Sequence, residues 1–289
     1  ARSVIGTGAK FVHLLEHYRS RAEIIGFSNK KFYGGKLSVW TDYRRLRGAG
    51  HPDALTWHDV VGEVVRPSAG SAYNLDEAKA VVVLIEEIIG RISAHGDDYS
   101  VSLGVVTPFR EQANKIRDLV EQKISAAQLR KLDFTVDTAH KYQGDERDIM
   151  IFSPVVSRKI QQRSLGFLGN TVNLFNVAIT RARAELHIVG DRVACAQSGI
   201  SHLSEFVQYV EDLEPENKNK SSGKFESPWE EVLYDALARE GIRTISQYPL
   251  YQYRLDLALL DSEIPIDIEI DVEMWHRDID GGRLLSDLK

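Results

Sequence analysis

The chain predicts an α/β protein, and three observations carry that prediction. Apolar runs of strand length recur at Val101–Val106, Phe134–Val136, Ile149–Val156 and Leu186–Val189. Between them lie helical spacings, such as Ile116, Leu119 and Val120; buried strands alternating with helices are the pattern of a parallel sheet. Composition also changes along the chain: residues 1–210 hold 27 Lys and Arg against 23 Asp and Glu, whereas residues 211–289 hold 9 against 19. A mildly basic part followed by a strongly acidic one implies two domains with different work. With 289 residues and 43% hydrophobic content, both can bury a core. No apolar run approaches a membrane span and no signal peptide is evident, so a cytoplasmic protein without membrane contact is expected. The single Cys195 rules out an internal disulfide and a cysteine-cluster metal site.

Each element of the first part ends in residues fit for anions. His17-Tyr18-Arg19-Ser20 closes an apolar stretch and precedes a helical pattern running to Phe32. An aromatic beside an arginine can stack a base and hold a phosphate. The run Val101–Val106 leads into Thr107-Pro108-Phe109-Arg110-Glu111-Gln112, which opens a helix, and a hydroxyl with free amides at a helix start suits phosphate. Thr138-Ala139-His140-Lys141-Tyr142-Gln143-Gly144-Asp145-Glu146 joins two strand-like segments. Its glycine lets backbone approach a ligand, while Gln, Glu and His offer hydrogen bonds. Asn176 to Arg183, followed by Leu186–Val189, reads as a helix carrying two fixed cations into a buried strand. A guanidinium so held suits a nucleotide γ-phosphate, although basic residues late in a helix also complement its dipole.

Beyond residue 210 the pattern changes. Residues 211–224 (EDLEPENKNKSSGK) contain one apolar residue and read as an exposed linker. Phe225 to Glu240 carries Trp229, Val232, Leu233, Ala236 and Leu237 at helical spacing, with Ser227-Pro228 as cap and first-turn proline. Strand patterns follow at Arg254–Leu260 and Ile264–Val272. In the last, Ile264, Ile266, Ile268, Ile270 and Val272 fall on one face, and Asp267, Glu269, Asp271 and Glu273 on the other. Carboxylates on one face repel unless solvent, basic groups or a cation compensates. A solvated face explains the strand alone, but Asp256 sits inside the neighbouring apolar strand, where an unpaired carboxylate is costly. Oxygen ligands from two adjacent strands suit Mg²⁺.

Taken in order, HYRS, VVTPFREQ, TAHKYQGDE and NVAITRAR resemble the successive motifs of the second RecA-like motor domain of superfamily 1 helicases, in the Upf/Dna-type branch. The resemblance covers about residues 10 to 195 and implies an ATP-dependent motor on nucleic acid. Carried over by position, it implies Tyr18 against adenine, Arg19 and Arg181 on the γ-phosphate, Gly144 near phosphate and Glu146 on the ribose. Thr107, Thr138 and His140 would face the nucleic-acid backbone. No G-x-x-x-x-G-K-[ST] loop occurs, since Gly6-Thr7-Gly8-Ala9-Lys10 has the wrong spacing. The expectation is therefore the C-terminal portion of a longer protein, whose first motor domain supplies the other wall of the ATP cleft. This portion alone is expected not to hydrolyse ATP.

Glu226 or Glu230 on a helix, then Asp256, then Glu269-Ile270-Asp271, then Trp275-His276 resemble the PD-(D/E)XK nuclease fold, in its very-short-patch-repair-like branch. The resemblance covers residues 225–289 and implies Mg²⁺ held by Asp256 and Glu269, with Glu226 or Glu230 in reach and His276 as general acid or base. Asp271 stands where the superfamily usually has Lys, which puts water activation in doubt. The expected organisation is thus a RecA-like domain over residues 1–210, a linker over 211–224 and a small restriction-endonuclease-like α/β domain over 225–289, cut short at Lys289. The expected function is an ATP- and Mg²⁺-dependent helicase with nuclease activity, with DNA favoured over RNA as track. The alternative is a non-catalytic module, binding nucleic acid or a partner, carried on a helicase or remodelling ATPase.

Overall fold

The computed structural model describes residues 15–51, 53–96, 99–142, 144–213, 228–250, 253–260 and 265–270. The chain divides into two compact units, Ala1–Lys218 and Asn219–Lys289. The first begins with β1 (Glu16–His17), α1 (Ala22–Phe32), β2 (Ser38–Val39), β3 (Leu55–Asp59), β4 (Val64–Val65), β5 (Tyr73–Asn74) and α2 (Leu75–Ser93). It continues with β6 (Leu103–Thr107), α3 (Arg110–Lys123), α4 (Ala126–Lys131), β7 (Thr135–Thr138), β8 (Arg147–Phe152), α5 (Gln162–Asn170), α6 (Val172–Ile179), β9 (Ala182–Gly190), α7 (Arg192–Ala196) and α8 (Ser201–Leu213).

Five strands form one parallel sheet in the order β3-β9-β8-β6-β7. Strands β6 and β9 are buried along almost their whole length, including the polar Glu185 and His187 of β9, because both faces of the sheet are covered. Alternation within β8 shows this: Ile149 and Ile151 enter the core under α2 and α3, whereas Met150 and Phe152 enter the core against α1, α6 and α8. Each fully buried Ile or Leu stabilises the fold by about 2 kcal/mol. Helix α2 starts where Asn74 accepts from the amides of Asp76 and Glu77, and its stripe Ala78, Val81, Ile85, Ile88 and Ile92 meets the sheet. The result is the parallel α/β sheet that the strand and helix alternation predicts, in keeping with the RecA-like fold that the motif resemblance implies.

All five strands run the same way, so the sheet has two chemically distinct edges. Arg147 and Ala182 begin β8 and β9 at the amino edge; Asp59, Thr107, Thr138, Phe152 and Gly190 end their strands at the carboxyl edge.

The second unit contains α9 (Pro228–Arg239) and the antiparallel strands β10 (Ile245–Leu250), β11 (Tyr253–Leu259) and β12 (Ile266–Ile268), in that order. The helix begins at the expected proline. Two expectations need correction. The predicted linker starts too early, because α8 runs through Leu213, whose side chain extends the apolar stripe of Leu203, Phe206, Val207 and Val210 into the core. The last strand is short as described, and Ile266 is 48% exposed, so its apolar face is not buried there. Glu226, Asp271 and His276 lie outside the described residues. Among the described residues, no helix is long and apolar enough to cross a membrane.

Candidate nucleotide and nucleic-acid site

The amino edge gathers Tyr18, Arg19, Glu146 and Arg181 from three separate segments. Arg21 N–H donates to the Arg183 carbonyl, which ties the segment after β1 to the start of β9. Arg147 N–H donates to the Arg181 carbonyl and so brings in the end of the β7–β8 connection. Arg19 Nε lies 2.5 Å from Glu146 Oε1, with both side chains about a third exposed. Arg181 emerges just past α6, and its guanidinium donates to the Val177 carbonyl and the Thr180 hydroxyl, each at 3.2 Å. The sequence reading placed both arginines on the helix. Instead, Thr180 closes the helix, Arg181 occupies the turn and Arg183 lies in β9, 3.4 Å from Asp148. A turn position fixes the guanidinium to the helix end while leaving it half-buried at the edge.

Electrostatics show how close these groups are. Burial, then the neighbouring Arg19 charge, lowers the pKa of Arg181, with Glu146 opposing. His17 is pushed down to about 4 by burial, then by Arg19 and Arg181, so it is neutral at pH 7; its Nε2 accepts from the Ser20 amide. Arg19 is the cation paired with Glu146, while Arg181 feels the charges of Glu146 and Asp145 from further off. Tyr18 is 62% exposed, and its hydroxyl donates to Glu16 at 2.5 Å. Gly144 has φ +94 with open space where a side chain would be, a backbone conformation that β-branched or bulky residues avoid. A flat exposed ring, two guanidiniums and an unobstructed backbone are the parts that a purine nucleoside triphosphate needs.

Thr107 and Thr138 are register partners at the carboxyl edge. Thr138 is half-buried and His140 exposed, as a ligand contact requires. Thr107 is not: it is 0% exposed and its hydroxyl accepts from the Phe109 amide at 3.5 Å, so it shapes the turn into α3. The connection from Thr138 to Glu146 spans the sheet from carboxyl to amino edge. Tyr142, buried under it, anchors the crossing by donating to the Thr135 carbonyl at 2.8 Å, and burial pushes its phenol up to about 12. One motif thus touches both edges.

A residue that sequence reading missed supports the carboxyl edge. Glu77 is completely buried; its Oε1 receives the Ser153 hydroxyl at 2.6 Å and the Val155 amide at 2.9 Å. Val155 sits at φ +60, a strained conformation for a β-branched residue. Gln112 links Ser153 to the Asn74 amide, so this polar network joins the starts of α2 and α3 to the exit of β8. Burial pushes Glu77 up to about 8. An acid three residues after an N-cap asparagine reads as an ordinary first-turn glutamate, which is why the sequence hid it.

In the second unit, β11 and β12 place Ala258 opposite Asp267, with Asp256 two residues further along. Asp256 Oδ2 accepts from the Ile270 amide at 2.7 Å. Glu269 is pushed up to about 7, by burial first, then by Asp256 and Asp267, with Glu230 contributing. Glu230 is buried, and its Oε2 accepts from Gln247 at 2.8 Å. These carboxylates feel one another, yet among the described residues no three His, Cys, Asp or Glu are arranged to hold a metal ion.

The family described as AAA domain matches residues 3–193. Helicase sen1 of Schizosaccharomyces pombe is 30% identical over 60% of this chain and 10% of its own length. Mouse RNA helicase Mov10l1 is 30% identical over 62% of the chain and 15% of its own length. The DNA polymerase alpha-associated DNA helicase A of Saccharomyces cerevisiae is 26% identical over 70% of the chain and 30% of its own length. The chain thus spans a third or less of each relative.

Proposed function

The chain belongs to the AAA domain family, and from that premise we propose that its first unit is the second motor half of an ATP-dependent superfamily 1 helicase. The observation that carries this reading is that Arg19, paired with Glu146, stands at one sheet edge close enough to Arg181 for the two charges to act on each other. A guanidinium cannot lose its proton at neutral pH, so two of them beside one carboxylate suit a polyanion. Arg19 and Arg181 would hold the γ-phosphate, Tyr18 the adenine and Gly144 a close phosphate oxygen, while Glu146 orients Arg19 and reaches the ribose. Magnesium accompanying ATP would find no ligand set among the described residues of this chain. The crossing from Thr138 to Glu146 would link the nucleotide to the nucleic-acid backbone at the other edge. The relatives' names include both an RNA and a DNA helicase, which removes the preference for DNA.

The test uses the full-length protein. Arg181→Ala is expected to lower nucleic-acid-stimulated ATP turnover by roughly a thousandfold, the effect of removing a phosphate-clamping arginine, with melting temperature unchanged. Turnover within a few fold of wild type sinks the reading.

A second reading concerns the acidic unit: we propose that it is related to PD-(D/E)XK nucleases. What supports it is the mutual influence of Asp256, Glu269 and Glu230 from two strands and the preceding helix. No metal-dependent step is assigned to it. Nicking of a labelled duplex in Mg²⁺ or Mn²⁺ that disappears in Asp256→Ala supports the relation; no cleavage by the full-length protein hands the unit to a non-catalytic binding role.

A further inference from the structure

The carboxyl edge carries a second feature, three of whose four residues lie outside the sequence motifs. Arg66 follows β4, Arg158 follows the exit of β8 and Arg163 opens α5, while Arg110 stands at the end of β6 as the first residue of α3. Arg110, Arg158 and Arg163 are exposed, and Arg66 is half-buried. The first three positions are physically joined. Val64 N–H donates to the Arg158 carbonyl at 2.8 Å, Arg158 Nε reaches the Gly62 carbonyl at 3.4 Å, and Arg66 donates to the Ser164 hydroxyl at 3.2 Å, beside Arg163. None of the four has a carboxylate at ion-pair distance among the described residues, in a chain whose net charge is −6. The carboxylates nearby are engaged or offset: Glu63 holds Lys159 at 2.7 Å, and Asp191 accepts from Ser157 and the Ala194 amide. Glu111 stands beside Arg110 on α3.

Strand order turns these positions into a row. Across the edge, β7 presents His140, β6 presents Arg110, β8 leads to Arg158 and Arg163, and the β3 side leads to Arg66. Four arginines with no carboxylate at ion-pair distance among the described residues, reached from the same edge at which Thr138 ends its strand, fit a polyanion with several phosphates better than a single small anion. We propose that Arg66, Arg158 and Arg163 form a phosphate-binding stretch that extends the nucleic-acid track along the carboxyl edge beyond Thr138 and His140. The ligand is the sugar-phosphate backbone of single-stranded nucleic acid, read without regard to base. The proposal rests on the motor reading for the identity of its polyanion.

The test is binding of a labelled single-stranded oligonucleotide to the full-length protein across a KCl series. Changing Arg66, Arg158 and Arg163 together to Gln is expected to weaken binding at least tenfold and to flatten the salt slope by about two, since each lost phosphate contact on a single strand removes about 0.7. ATP turnover without nucleic acid should not change. If the triple variant melts early, Arg163→Glu alone, at an exposed position, should weaken binding several fold and serves instead. Unaltered affinity and slope overturn the proposal, as does a loss confined to one base sequence. Failure of the motor reading is separately visible: Arg181→Ala would then leave ATP turnover intact, whatever the arginine variants do to binding.

Discussion

The amino edge of the motor unit and the acidic strand of the second unit both gather like charges, and they relieve the repulsion differently. At the amino edge, Arg19 and Arg181 meet around Glu146, and neither can shed its charge at neutral pH. In the second unit, Glu269 meets Asp256 and Asp267, and its pKa rises to about 7. A carboxylate can take up a proton; a guanidinium cannot. Convergent arginines therefore point to a missing anion, whereas convergent carboxylates have an internal remedy and need not point to a metal. This asymmetry is why the amino edge supports a functional reading more firmly than the acidic strand does.

The largest effect expected from this comparison is at Arg19. Arg19→Ala should lower ATP turnover of the full-length protein on the order of a thousandfold. Glu146→Gln, which keeps a hydrogen-bond acceptor for Arg19 but removes the charge, should cost only about tenfold. Equal losses in steady-state kinetics would mean that the Glu146 charge matters as much as Arg19 itself and that the cation pair is not the principal feature.

The next effect tests protonation at its extreme, in Glu77. Its folded pKa of about 8 lies above the ordinary 4.5, so the folded state keeps a proton that the unfolded chain releases. Stability should therefore be fullest below about pH 4.5 for this group and decline as pH rises towards 8, by a few kcal/mol in all. Glu77→Gln should remove that decline, read as denaturant midpoints between pH 5 and 8.5. A wild-type midpoint that rises with pH over that range, with Glu77→Gln unchanged in slope, would show the network to be ionised and paired.

The smallest effect decides between proton and metal in the second unit. Glu269→Gln at pH 8, above the raised pKa, should increase the melting temperature of this unit by a few degrees, while Mg²⁺ adds about a degree or less to the wild type. A larger Mg²⁺ shift that vanishes in Asp256→Ala would reverse the comparison and strengthen the nuclease relation.

Much of the fold is legible in the sequence, because its signals are local. The apolar runs of β6, β8 and β9 mark strands buried on both faces, and Pro228 marks the start of α9. Strand β3 and helix α2 escaped notice. In β3 the polar Thr56, His58 and Asp59 interrupt the apolar pattern, although Leu55 and Trp57 are buried. The site residues at the amino edge are legible through short motifs whose residue types suit phosphate chemistry. Which of them touch is not: Arg19 and Glu146 are separated by 127 positions and meet only through strand pairing.

By itself, the sequence determined that a parallel α/β unit precedes an acidic one, and which short segments carry arginine, tyrosine, threonine and glycine suited to a phosphate ligand. Those follow from periodicity, charge and side-chain chemistry, which act over a few residues. Tertiary structure alone decided that Thr107 faces inward and that Arg181 leaves the helix. It also brought Glu77 under the strained Val155 and joined the segments of Arg66, Arg158 and Arg163. The physical reason is that burial and ionisation depend on neighbours distant in the chain. Sheet order, set by the packing of two apolar faces, chooses those neighbours.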